Sequence, residues 1–250
     1  MKRERNPFIR FTSTVFLLTA TGIMLGMSSC KKDNDTSASV SEEEIAESIS
    51  QSVATDGGGL VVQATATATA VNNAAARIGG KLSDQCGVPH TDVFSGSSAA
   101  GALVTFSYSF SRNWLLTCNG TTPQQFEFNY KGKATYDAPR MSSDDSATAK
   151  IVVTNLDSSY YLYNHQYTRE GSQVSKIRNK RSFKSLIFIS ATDIKIDKST
   201  LKIVSGTATA TVSGEGADGH SFNYTGTVTF LGNQTATLVL GNGGTYTITW

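Results

Sequence analysis

Apolar and polar residues alternate one by one through most of this chain. Val104, Phe106, Tyr108 and Phe110 fall on one face of an extended segment, and Thr105, Ser107, Ser109 and Ser111 fall on the other. Phe126, Phe128, Tyr130, Ala134 and Tyr136 likewise oppose Glu127, Asn129, Lys131, Lys133 and Thr135. A period of two is the mark of a half-buried strand. The segments ATAKIVVTN, SYYLYNHQYTR, SFKSLIFISATDIKI, TLKIVSGTATATVSG, HSFNYTGTVTFL, TATLVLG and TYTITW continue it. Turn sequences such as GEGADG and GNGG separate most of them, which is the pattern of hairpins. About nine strands in meander order, without helical spacers, predict an antiparallel sheet. SFKSLIFISATDIKI is apolar on both faces, with Phe183, Ile187 and Ile189 opposite Leu186, Phe188, Ile194 and Ile196. It is therefore expected to be the most central strand.

Before the strands the period lengthens. In SEEEIAESISQSV, Ile45, Ile49 and Val53 recur every four residues. Ser41 with Glu44 fits a capping box, Glu42, Glu43, Glu44 and Glu47 sit where the helix dipole favours anions, and Gly57-Gly58-Gly59 ends the pattern. LVVQATATATAVNNAAARI fits either element. Leu60, Ala64, Thr67, Val71, Ala75 and Ile78 make a helical stripe, yet Thr-Ala alternation also suits a strand. The Asn-Asn-Ala-Ala-Ala-Arg end continues the helical period, so helix is the expectation. A similar Thr-Ala run at 207–211 is read as shared composition. One wet face means that the sheet needs cover on its apolar face alone. The expected fold is mainly β with an α+β character at the N-terminal side. Residues 81–250 form a large twisted antiparallel meander sheet or partial barrel, covered by one or two helices from residues 41–80.

The first residues follow neither period. Lys2, Arg3, Arg5 and Arg10 precede a largely apolar, charge-free run, FTSTVFLLTATGIMLGM, the layout of a secretory signal. That run is short and threonine-diluted for a membrane span, which needs about 20 apolar residues. It ends in Met27-Ser28-Ser29-Cys30. An apolar residue and two small ones before a cysteine resemble the lipobox of bacterial lipoproteins. The resemblance implies cleavage after residue 29 and a diacylglycerol thioether on Cys30, with a third acyl chain usual. Each buried methylene adds about 0.8 kcal/mol, so two or three chains hold a protein essentially permanently. Lys31-Lys32-Asp33-Asn34-Asp35 resembles the export signal that directs lipoproteins of the Bacteroidota to the cell surface. The whole-chain pattern is similar to uncharacterised outer-membrane or surface lipoproteins of that group, and the resemblance brings no activity with it. It implies a lipid-anchored outer-membrane location, at the cell surface in preference to the periplasmic face. Residues 30–40 then read as a flexible tether.

Cleavage changes the charge argument. The whole chain of 250 residues carries 22 Lys+Arg against 20 Asp+Glu. Four of the bases and one acid precede Cys30, leaving 18 against 19, a mature charge of about −1. The basic balance belongs to the leader and is no argument for nucleic acid. Three cysteines are present, and once Cys30 carries lipid, Cys86 and Cys118 remain. An even remainder in an oxidising compartment favours a disulfide over a metal pair or free thiols. Its closure would contribute about 3.5–4 kcal/mol in the chain-entropy account.

Chemistry-bearing motifs are scarce. His90, His165 and His220 have no partner at metal or triad spacing, and His165 falls in the stripe Tyr161, Tyr163, His165, Tyr167. Tyr160, Tyr161, Tyr163 and Tyr167 either stack on sugar rings or serve a half-buried strand, the second being favoured. Asp144-Asp145, Asp193/Asp197 and Glu215/Asp218 read as turn residues, with calcium a lesser alternative for the first pair. A glycosidase would need two carboxylates facing across a cleft, which sequence cannot place. Lys176, Arg178, Lys180, Arg181 and Lys184 form the densest basic run. It is either a polyanion site or a solvated strand edge kept from pairing by charge, again with the second favoured. No cofactor and no enzymatic constellation are implied. A membrane-spanning barrel is disfavoured because strands such as GTATATVSG are too small and polar for a lipid-facing band. The expectation is a lipid-anchored binding module, with the membrane as one partner and a glycan, lipid or envelope protein as the other. The alternative is a carrier of an apolar ligand inside a curled sheet.

Overall fold

The alternation resolves into ten strands, and each pairs with its neighbours in sequence, all antiparallel. They are β1 (His90–Ser97), β2 (Thr105–Asn119), β3 (Thr122–Asp137), β4 (Met141–Thr154) and β5 (Tyr160–Ser175), then β6 (Ser182–Asp197), β7 (Ile203–Gly216), β8 (Ser221–Gly232), β9 (Thr235–Leu240) and β10 (Thr245–Thr249). The computed structural model describes residues 40–54, 57–75, 81–177 and 181–250, all within one compact unit. The sheet is open, because β1 and β10 do not pair with each other. Cys30, the leader and the tether up to residue 39 lie outside the described residues.

Nine strands are expected from the period, and β1 is the tenth. In His90–Ser97 only Val93 and Phe94 are large and apolar, and they fall on opposite faces. The segment is a strand because β2 offers it a partner, with His90 opposite Trp114 and Phe94 opposite Phe110. The central position expected for SFKSLIFISATDIKI is found, since β6 is sixth of ten. Its faces differ from expectation, however. Ile194 and Ile196 are buried on the same side as Phe183, Ile187 and Ile189. A register shift between Thr192 and Lys195, with Asp193 at φ 54°, inserts the extra residue that reverses the phase. Leu186 and Phe188 stay on the opposite face, 43% and 38% exposed.

Two helices cover the apolar face. α1 spans Glu42–Val53 and α2 spans Leu60–Ala75, so the Thr-Ala run of residues 64–70 is helical. The capping box is formed: the Glu44 amide donates to Ser41 Oγ at 3.4 Å, and the Ser41 amide donates to Glu44 Oε2 at 2.8 Å. Ile45, Ile49 and Val53 of α1 are fully buried, as are Leu60 and Ala68 of α2, with Ala64 and Val71 nearly so. The chain turns between the helices at Gly58, whose φ is +71° and whose added Cβ would stand 2.7 Å from the Phe110 ring. Helices and sheet share one hydrophobic core, and the tyrosines Tyr130, Tyr136, Tyr161, Tyr163 and Tyr167 belong to it.

Ile49→Ala should therefore cost about 2–5 kcal/mol in urea unfolding, as for other fully buried aliphatic side chains. Thr69→Ala on the solvent side of α2 should stay within about 0.5 kcal/mol of the native chain.

Candidate functional site

Strand β5 carries the densest polar chemistry of the interior. Its inward positions are Tyr161, Tyr163, His165, Tyr167, Arg169, Gln173 and Ser175, all buried. Two-residue periodicity places Arg169 among apolar neighbours, so its charge must be met there. Asp145 on β4 meets it, with the two side chains 2% and 0% exposed. Arg169 Nε donates to Asp145 Oδ2 at 2.8 Å, and Nη2 donates to the same oxygen at 2.5 Å. Ser143 Oγ donates to that oxygen at 2.5 Å, and Gln173 Nε2 donates to Oδ1 at 2.8 Å. Ser185 Oγ completes the chain by donating to Gln173 at 2.9 Å. Gly171 lies opposite Asp145, and a Cβ there would stand 2.2 Å from the carboxylate. The glycine makes room for the ion pair.

This finding corrects the reading of Asp144-Asp145. The pair lies inside β4 rather than in a turn, and Asp145 is sealed against Arg169, which leaves neither a turn nor a calcium role. Asp197 does serve a turn, accepting from the Ser199 and Thr200 amides at 3.1 and 2.8 Å. The hydroxyl and amide hydrogen bonds of Ser199 and Thr200 hold its carboxyl down at about 2.

The other inward polar groups of β5 meet the helices. His165 Nε2 is 3.2 Å from Gln63 Oε1, and Tyr161 OH donates to Asn72 Oδ1 at 2.5 Å. On β3, Tyr130 OH is 2.7 Å from Thr67 Oγ1. Burial holds the His165 imidazole neutral, with its pKa down at about 3, and pushes the Tyr163 and Tyr167 phenols up. Tyr161, Tyr163 and Tyr167 thus serve the core and are covered from sugar rings. His90 stacks on Trp114 at 3.9 Å, and His220 sits 3.4 Å from Asp218 at a separate turn. Among the described residues no group of three or more His, Cys, Asp or Glu could hold a metal ion.

Cys86 and Cys118 form a disulfide, with Cα atoms 5.7 Å apart, that ties the short 3-10 turn Leu82–Gln85 to β2. The basic run is described only in part. Arg178 and Lys180 lie outside the described residues. Lys176 forms an ion pair with Asp137, Lys184 stands opposite Glu215 in register, and the Arg181 carbonyl accepts from the Ser175 amide. Acids thus stand beside both described lysines of this run.

The outer face of the sheet is the accessible one. It bears in-register rows that cross several strands. One runs Lys133, Ser146, Glu170, Leu186, Ser213 from β3 to β7. Three depressions of about 700, 390 and 450 Å3 open on this side. The first and third share Ser146 and Glu170, and the first and second share Ser172, Lys184 and Glu215. Sequence periodicity places all of these residues outward. It gives no sign that they line a depression, because that depends on register across strands.

No protein-family model, curated protein or solved structure matches the chain.

Two outcomes follow from the buried groups. Asp145→Ala should cost about 3–5 kcal/mol in urea unfolding, because it strands the Arg169 charge, whereas Asp145→Leu with Arg169→Met should cost far less. Between about pH 6.5 and 3 the unfolded chain binds a proton on His165 that the folded chain refuses. That group alone should make stability fall as pH falls through this window, by up to about 1.4 kcal/mol per unit. His165→Gln should flatten that part of the stability–pH curve.

Proposed function

We propose that this chain is a lipid-anchored protein of the cell envelope, held by Cys30 at the outer membrane and displayed at the cell surface, where it acts as a binding module. The observation that supports this reading is the division of the sheet into two unlike faces. One is filled by α1 and α2 down to fully buried Ile45, Ile49 and Leu60. The other carries three contiguous depressions. A binding partner would therefore be met on the outer face. A carrier of apolar ligands would need the helices to leave, and none of these three depressions opens between helices and sheet. Enzymatic action has no support in the sealed Asp145–Arg169 pair, which no substrate reaches without unfolding.

No helix of the described residues is long and apolar enough to cross a membrane; the proposed anchor is the lipid on Cys30. Two measurements on cells expressing the full chain test the proposal. Cys30→Ser should move the protein from the membrane to the soluble fraction, and an unchanged membrane fraction would refute the anchor. A benzophenone side chain at position 146, on the outer face, should give photo-adducts, whereas one at position 69, on α2, should not. Adducts only from position 69, or from neither, would refute the outer face as the binding surface.

A further inference from the structure

The three depressions merge into one trough. Its lining runs from Ser111 on β2 to Ser221 on β8. Seven strands at about 4.8 Å spacing give a length of roughly 29 Å. Short and long side chains alternate along its lining. Ser146 lies between Lys133 and Glu170, and Ser213 beside Leu186, in one in-register row, and Ser172, Lys184 and Glu215 follow one another in the next. Such length and shallowness suit an extended chain better than a compact small molecule.

We infer that this trough holds a linear neutral glycan. The inference rests on the binding-module reading and names the ligand class for the same face. Hydrogen-bonding capacity is the first argument. Serine hydroxyls donate and accept, lysines only donate and ionised glutamates only accept. That mixture mirrors a polyhydroxyl chain, which offers both roles at every residue. Charge is the second. Lys131, Lys133 and Lys184 stand against Glu170 and Glu215 in the lining, a net of about +1 with the two signs interleaved, so it presents no block of one charge to a polyanion or a polycation. The third is Leu186, 43% exposed in the middle of the row. With Phe188, the next outward residue of β6 and 38% exposed, it makes a small apolar patch for a sugar-ring face, too short to hold an acyl chain. A protein partner fits less well, since interface cores are depleted in Ser, Lys and Glu.

The test uses the full chain in detergent, titrated by calorimetry with cello-, manno-, xylo- and maltohexaose and with polygalacturonate. At least one neutral hexasaccharide should bind, with little dependence on salt. Ser146→Trp, which fills the trough, should weaken binding by about tenfold or more, and Glu170→Gln should weaken it with thermal unfolding unchanged. The second variant keeps the test decisive if the first disturbs the sheet. The inference is overturned if none of the four hexasaccharides binds, if both variants bind as the native chain does, or if polygalacturonate binds more tightly with a steep salt dependence. Failure here accompanied by protein photo-adducts from position 146 would remove the glycan and leave the binding module standing. Failure of both would remove both.

Discussion

Everything in this molecule depends on covering one face of a single-layer sheet. Ten alternating strands create an apolar side that no second sheet meets. The cover comes from two helices of 12 and 16 residues. They achieve it by a division of size. The sheet projects rings, among them Phe110, Phe126, Phe128, Tyr163 and Tyr167, while the helices present Ala46, Ser48, Ser52, Ala64, Thr67 and Ala68. Small helix residues let the helices approach closely, and the rings fill the space between. Hydrogen bonds at Gln63, Thr67 and Asn72 then fix which side chain of the sheet each turn of α2 meets.

That arrangement has a cost, which the buried polar groups reveal. A charged pair inside a core is costly to desolvate, and replacing it by apolar residues is often neutral or better. The Asp145–Arg169 pair is tolerated because both carboxylate oxygens and two guanidinium nitrogens are hydrogen-bonded. Its partners come from β4, β5 and β6, so the network also joins three central strands in one register. The same alternation that directs these groups inward directs serines, lysines and glutamates outward. The chemistry open to a partner is thus set by the complement of the core pattern.

Much of this was legible from the period alone. The helix cap at Ser41 and the meander order are direct consequences of local patterns, and the disulfide follows from counting the cysteines left after Cys30. What the sequence concealed depends on neighbours. The Thr-Ala run of α2 and the nearly identical run of β7 adopt different structures. In α2 the buried positions Leu60, Ala64, Thr67 and Val71 follow a helical stripe, whereas in β7 Ala208, Ala210 and Val212 face the core and Thr207, Thr209 and Thr211 pair across to β8. Composition is equal, and the surroundings decide. Ile194 and Ile196 face inward because of the bulge between Thr192 and Lys195, which the alternating pattern does not mark. Asp145 looked like a turn residue because its partner lies 24 residues on. Arg169 could have been found by continuing the Tyr161–Tyr167 stripe one step further, where a cation in an apolar register demands a buried acid. The trough had no sequence signal, since its lining comes from strands far apart in the chain.

The outer face is the one proposed to meet a partner, while the core face stays closed. Methyl groups distinguish the two directly, because Leu186 points outward and its neighbours Ile187 and Ile189 point inward on the same strand. Methyl NMR of the full chain in detergent, titrated with the hexasaccharides, reads both faces at once. The account predicts that the Leu186 methyls shift while those of Ile187, Ile189 and Leu238 do not. Shifts confined to the inward methyls, with loss of amide protection in α1 and α2, would contradict it and would make the helices a lid over the true site.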